Sequence, residues 1–141
     1  MQYIAKWPEY CIVAEAPDGT IMGYSKLTRT LPSFFPCVNR SKLIVVIGKS
    51  EGRGENWHGH VTALSVAPSY RRLGIAGQLM DMLEKVSESK KCYFVDLFVR
   101  ASNTSAIAMY HKLGYTVYRQ VINYYTGFDR DEDALGKFNL I

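Results

Sequence analysis

The sequence predicts an α/β fold organised on a parallel pair of strands, and three stretches predict it. Residues 57–76, WHGHVTALSVAPSYRRLGIA, run from an alternating β-branched segment through Ala67 and Pro68 into a glycine-bearing turn and then an amphipathic pattern. That order reads as strand, loop, helix. Residues 93–100, YFVDLFVR, are apolar on both faces apart from Asp96, as expected of a strand covered on both sides. Ser102, Asn103 and Thr104 then offer capping side chains to a short helix carrying Ala106, Ile107, Met109, Tyr110 and Leu113, which closes at Gly114. Strand, helix, strand, helix is a crossover unit, so the two long strands should lie parallel.

The other elements follow in chain order. Residues 10–16 (YCIVAEA) and 21–27 (IMGYSKL) flank Pro17, Asp18 and Gly19, a turn signal in which proline presets φ and glycine accepts a positive one. They predict a hairpin, although residues 43–49 (LIVVIGK) are an equally good second arm. Residues 25–46 hold Pro32, Pro36, Phe34, Phe35 and scattered cations; prolines without a repeat favour a loop over a nucleic-acid surface. Residues 50–56 read as a polar connection. The first helix places Ile75, Leu79, Met82, Leu83 and Val86 on one stripe, with Asp81, Glu84, Lys85 and Glu88 opposite. Residues 115–125 (YTVYRQVINYY) read as a final strand, and the acidic tail from Thr126 as loose chain.

Composition narrows the function. With 141 residues, 48% hydrophobic and 21% charged, the chain has the make-up of one globular domain. A net charge of +4 and a pI near 9.0 suit an anionic ligand without demanding one. Cys11, Cys37 and Cys92 share no short spacing, so neither a disulfide framework nor a zinc site is expected, and a reducing, cytoplasmic setting fits. The longest aliphatic run, residues 43–47, is too short to cross a bilayer. The chemistry lies in the loop before the first helix. Arg71, Arg72, Leu73, Gly74, Ile75 and Ala76 place two cations and small residues where a helix start leaves backbone N–H groups unpaired, which makes an anion site.

Arg71 to Ala76, with the phrase LGY following a helix that contains Tyr110, resembles the GNAT superfamily of acyl-CoA-dependent N-acetyltransferases. WPEY, VAEAP, WHGHVTALSVAP, RRLGIA, VDLFVRASN and VYRQVINYY look, within that superfamily, like the catalytic subunits of NatB-type N-terminal acetyltransferases. The resemblance implies a mixed, mostly antiparallel sheet with a splayed central parallel pair flanked by helices. It implies acetyl-CoA as co-substrate, with Leu64, Ser65 and Val66 pairing the pantetheine arm and Arg71, Arg72, Gly74, Ile75 and Ala76 holding the pyrophosphate. Asn103 and Tyr110 would line the far wall, Tyr110 near the thioester sulfur. His60, Thr62, Ala63, Tyr124 and Tyr125 would grip a peptide amino terminus beginning Met followed by Asp, Glu, Asn or Gln. Tyr110 and His60 are the implied catalytic pair, the former donating to sulfur and the latter, or a water held by Tyr124 and Tyr125, taking the amine proton.

The implied partners are nascent-protein N-termini, a large helical-repeat auxiliary subunit and, through it, the ribosome; no nucleic acid, membrane or metal is expected. The family carries a strand and two helices ahead of WPEY, so the reading is of one domain lacking these and holding an insertion at 25–46. Two alternatives stay open: a catalytically silent module binding acyl-CoA or the auxiliary subunit, and a related enzyme acting on a small amine or lysine. Plainer readings also compete residue by residue. Tyr110 on an apolar helix face suits a core tyrosine, and packing accounts for at least one of Tyr124 and Tyr125. His60 suits pocket or surface equally, His58 should be exposed, and His111 near a helix end suits a dipole partner. Asp96 reads as a satisfied carboxylate without a catalytic role.

Overall fold

A computed structural model describes residues 8–13, 45–127 and 130–141. Its six strands are β1 (Cys11–Val13), β2 (Val45–Glu51), β3 (His58–Ser65), β4 (Phe94–Arg100), β5 (Thr116–Tyr125) and β6 (Glu132–Leu140). Two helices, α1 (Ile75–Ser89) and α2 (Thr104–Lys112), follow β3 and β4. The sheet order is β1-β2-β3-β4-β6-β5, antiparallel throughout except for the central β3–β4 pair. The crossover β3–α1–β4 therefore joins adjacent parallel strands, as the pattern predicted.

β1 pairs with β2, with Cys11 opposite Ile47, so the segment ending in LIVVIGK supplies a partner that the sequence left open. Residues 21–27 and most of 25–46 lie outside the described residues. Within α1, Leu79, Met80, Leu83 and Ser87 are the buried positions. Together with Val46, Val61, Val95, Leu97 and Val99 they form the core, which Tyr110 and Tyr115 close from the α2 side. No helix among the described residues is long and apolar enough to cross a membrane.

The expectation of a loose tail is wrong. Residues Glu132–Leu140 form β6 and insert between β4 and β5, so residues 115–125 are not the final strand but the sheet's edge. Sequence pattern misses this strand because its centre carries Gly136 and Lys137 where β-branched residues are usual. Both have a physical reason. A Cβ at Gly136 would lie 3.0 Å from side-chain atoms of Tyr118 and Arg119, so any larger residue would press on the two side chains above it. Lys137 is buried, donates from Nζ to the Ile107 carbonyl at 3.4 Å, and is pushed below the usual lysine pKa by desolvation.

The acidic residues also have structural tasks. Glu132 accepts from the Ser102 backbone N–H at 2.8 Å and from Arg100 Nη1 at 3.0 Å, tying the entrance of α2 to the sheet. These bonds, the one to Ser102 first, hold its pKa at about 2 against an ordinary 4.5. A carboxylate depressed on folding stabilises the fold above pH 4.5, and that contribution disappears as pH falls from 4.5 toward 2. The difference in melting temperature between the parent chain and Glu132→Gln should thus be largest near pH 6 and shrink steadily below pH 4.5. A difference independent of pH would refute that assignment.

Candidate active site

A single extra residue opens the centre of the sheet. β2 and β3 keep register from Glu51 opposite His58 to Gly48 opposite Val61, and then Ile47 faces Ala63, leaving Thr62 as a bulge in β3. A bulge bends its strand and sharpens its twist. The parallel pairing of β3 with β4 ends at the same point, the last partners being Val61 and Leu97. Beyond it β3 stays on β2 and β4 stays on β6, so among the described residues one edge of each strand is left without a strand partner over Thr62–Ser65 and Phe98–Arg100. A cleft between parallel strands at their carboxyl ends is where open α/β sheets take ligands.

Two helix starts follow the strand ends that part at that cleft. Gly74, at φ +77°, caps α1 without a side-chain hydrogen bond, leaving the first N–H groups of the helix to a ligand. Its positive φ is what selects glycine, since a Cβ there would meet nothing within 4 Å. Arg71, Arg72, Leu73 and Gly74 are exposed, and Ile75 and Ala76 partly so. The loop is therefore open, as an anion site must be. Arg71 donates from Nε to the Val66 carbonyl at 2.9 Å, which holds the loop against the end of β3. Asn103 caps α2 by accepting from the Ala106 N–H at 3.1 Å, so its oxygen is engaged and its amide N–H₂ is the part left for a ligand.

Tyr110 projects from α2 and is 93% buried, with its ring edge-on to Tyr115 at 5.9 Å. Its hydroxyl makes no hydrogen bond to a described residue, yet no buried polar atom among the described residues lacks a partner. The hydroxyl therefore reaches solvent through an opening. Burial, then the neighbouring Tyr125 phenol, pushes its pKa up to about 12. Tyr125 in turn donates to the carbonyl of Phe98, the first β4 residue past the splay, at 3.2 Å. Tyr110 thus stays protonated at any physiological pH, its ring packed on Tyr115 and its hydroxyl under the influence of the Tyr125 phenol.

The other side of the sheet carries His60. Side chains alternate along a strand, and Gly59, between the two histidines, packs on Ser87 of α1. His58 and His60 consequently lie on the face opposite α1. His60 tilts against Phe98, with ring centroids 5.9 Å apart, and Phe98 stacks on Tyr124 at 4.8 Å. Arg119 lies over the same Phe98 ring at 5.0 Å. Tyr124 and Tyr125 reach this place because β5 bulges between Val121 and Tyr125, with Asn123 at φ 53° and its N–H held by Asp133 at 2.9 Å. The structure therefore gathers His60, Tyr124 and Tyr125 around Phe98 where the strands part, with Thr62, Ala63, Leu64 and Ser65 following along the freed stretch of β3 and Val66 just beyond it.

Sequence reasoning underrated the groups behind His60. Asp96 is directly opposite His60 in the β3–β4 register, and its Oδ1 accepts from His60 Nδ1 at 2.7 Å while Oδ2 accepts from Tyr118 at 3.0 Å. Burial acts to raise its pKa, but the hydrogen bond from His60, the charges of His60 and His58, and the Tyr118 hydroxyl together hold it below the ordinary carboxylate value. His58, expected on the surface, is instead only 15% exposed at its side chain, stacked on Phe94 at 4.7 Å with Nδ1 2.6 Å from the Asn56 carbonyl. The apolar stacking partner at Phe94 is what draws it in. The available signal was a lone carboxylate in a strand otherwise apolar on both faces, beside an HxH alternation. Glu51, His58 and His60 bring one donor atom each within 4.8 Å, a spacing a divalent ion could use. In the structure those groups are engaged instead with Lys49, Asn56 and Asp96.

A sheet splayed by a β3 bulge, beside an uncapped glycine-led helix start, defines the N-acetyltransferase class of α/β fold. The chain belongs to the acetyltransferase (GNAT) family, whose model matches residues 1–115. It is 49% identical over 136 residues to the N-terminal acetyltransferase B complex catalytic subunit NAA20 of Arabidopsis thaliana, covering 96% of this chain and 64% of that relative. The chain thus spans somewhat less than two thirds of that protein's length. Among solved structures it resembles Naa20 of Chaetomium thermophilum in complex with a bisubstrate analogue, with TM-score 0.77 and 35% identity over 99% of this chain and 70% of that one. It also resembles a NatB acetyltransferase complex bound to CoA and MES, with TM-score 0.74 and 32% identity, covering 99% of this chain and 78% of that one.

Proposed function

We propose that this chain acts as the catalytic part of a NatB-type protein N-terminal acetyltransferase. It moves acetyl from acetyl-CoA to the α-amine of peptides beginning Met followed by Asp, Glu, Asn or Gln, in the cytoplasm and beside a helical-repeat auxiliary subunit. One observation carries the reading: β3 and β4 part just after the Val61–Leu97 pair, with His60 at the point of parting and the open helix start at Gly74 following the end of β3. Arg71, Arg72 and the free N–H groups of α1 suit a pyrophosphate, and the unpaired edge at Leu64, Ser65 and Val66 suits the amide groups of a pantetheine arm. The likeness to a NatB complex bound to CoA supports the same ligand. Arg119 over Phe98 gives the peptide mouth a positive charge suited to an acidic second residue.

Acetyl-CoA supplies an activated acyl group, and the residues supply proton management and charge stabilisation. An α-ammonium titrates near pH 8, so removing its proton takes only a modest base, and His60 Nε2 is the group placed to accept it. The free amine then attacks the thioester carbonyl in a ternary complex, without an enzyme-bound acyl group. A backbone N–H of the Leu64–Val66 stretch stabilises the oxyanion. As the C–S bond breaks, Tyr110 donates a hydrogen bond to the departing sulfur. A second proton leaves the nitrogen as the amide forms, so amide, thiol and one released proton account for every atom.

The test is an assay of the chain, alone and with its auxiliary subunit, on short peptides beginning MD, ME, SE and MA. MD and ME should be acetylated at least tenfold faster than MA, and saturating acetyl-CoA should raise the melting temperature, since a ligand at 100 times its Kd adds about 2.7 kcal/mol. Equal rates on all four peptides would refute the specificity. A lack of turnover with the auxiliary subunit present would refute the activity, and binding without turnover would identify a silent acyl-CoA module instead.

A further inference from the structure

We propose that Asp96 is the positioning residue for His60, holding its imidazole in the tautomer whose proton sits on Nδ1, so that Nε2 is free to take the proton of the incoming amine. The inference rests on the acetyl-transfer reading and assigns the group that makes its base competent.

Three observations carry it. The Nδ1–Oδ1 distance of 2.7 Å is that of a charge-assisted hydrogen bond, and an ionised carboxylate can only accept, so the shared proton belongs to Nδ1. The imidazole is thereby fixed as an Nε2 acceptor. Nε2 itself has no partner among the described residues, and because no buried polar atom there is unsatisfied, it opens to solvent. Finally, the carboxylate is itself fixed. Tyr118 donates to Oδ2 at 3.0 Å, and His58 Nε2 stands 3.5 Å from Oδ1, an ion pair when that ring is protonated.

A merely structural role explains less. β4 is otherwise apolar at its inward positions, and an aliphatic side chain at 96 would remove the desolvation cost of a buried carboxylate. Asp96 instead meets His60 across the last stretch of parallel pairing, one residue before the strands part, so the bond orients the ring where the cleft begins. Among the described residues, the other charged groups beside this cluster are Arg119 on β5, over the Tyr118 and Phe98 rings, and Glu51 and Lys49 on β2, which pair with each other; Glu51 Oε1 lies 3.9 Å from His60 Nδ1, too far to compete for its proton.

The experiment combines kinetics with long-range ¹⁵N–¹H NMR on histidine-labelled full chain, with His60 assigned by comparison with His60→Gln. The parent chain should show His60 protonated on Nδ1 and bare on Nε2. Asp96→Asn should lower kcat tenfold to a hundredfold, leave the peptide KM and the acetyl-CoA melting shift within twofold, and lose the single-tautomer signal. Tyr118→Phe should keep the tautomer and lower kcat only a few fold. A His60 proton on Nε2 in the parent overturns the proposal even if Asp96→Asn does not fold. So does an Asp96→Asn variant with parental kcat, or one whose KM and cofactor shift fall together with kcat. A parent chain that acetylates no peptide refutes the acetyl-transfer reading, and the tautomer measurement still judges Asp96 independently.

Discussion

Tyr110→Phe is expected to lower kcat about 10²-fold, the size found on deleting one donor to a developing anion, with melting temperature and acetyl-CoA affinity near those of the parent. The ring that closes the core against Tyr115 is kept, and the hydroxyl makes no hydrogen bond to a described residue, so its removal leaves no group unsatisfied. What is lost, on the proposed mechanism, is the donor to the leaving sulfur. The pKa of about 12 decides the kind of donor. A thiol titrates near 8.5, so full proton transfer from the phenol to the leaving thiolate would run uphill by more than three units. On the proposed mechanism Tyr110 therefore acts on the sulfur as a hydrogen-bond donor, and the proton is settled with solvent afterwards. The pH–rate profile should show no loss from Tyr110 ionisation below pH 11. Rates within threefold of the parent across pH 6–9 would remove Tyr110 from the chemistry and restore it to the core.

The legible parts of this fold were those where one local signal suffices. The parallel pair, both helices, the caps at Gly74 and Asn103 and the closure at Gly114 follow from periodicity and from residue types with a single conformational use. The open anion loop follows from them. The bulge at Thr62, which opens the site, has no such signal, because a bulge is a mismatch between two strands and is invisible in either one. The same holds for the bulges in β5 that turn Tyr124 and Tyr125 toward Phe98, where Asn123 at positive φ was the one local hint. β6 was hidden because its composition answers tertiary demands: glycine under Tyr118, lysine on a helix carbonyl, acids on the N–H groups of Ser102 and Asn123. Recognition of a family placed His60 and Tyr110 in one site from sequence. It took coordinates to find what stands behind His60.

Gly59→Ala is expected to cost about 2–6 kcal/mol of folding stability, the sum of roughly 1–3 kcal/mol for overpacking and about 1–3 for a buried polar group left unpaired. A Cβ at position 59 would overlap the Ser87 hydroxyl and stand 3.0 Å from Ser87 Cβ and 3.3 Å from Val95 Cγ2. Ser87 cannot turn aside without loss, since its hydroxyl donates to the Leu83 carbonyl at 2.9 Å and accepts from Tyr10 at 3.1 Å. Tyr10 is fully buried, and its hydroxyl also lies 3.9 Å from the Cys92 sulfur. The alternative is for α1 to back away from β3, which moves the anion loop at its start relative to the splay. Chemical denaturation of Gly59→Ala, Ser87→Ala and the double variant separates the two costs. Ser87→Ala removes the overlapping hydroxyl, so the double variant should be more stable than the two single losses predict when added. A cost below about 1 kcal/mol for Gly59→Ala, measured against a typical total of 5–15 kcal/mol, would mean that α1 is not seated this closely. The contact that shows Gly59 facing α1, and hence its strand neighbours His58 and His60 on the opposite face, would then have no basis.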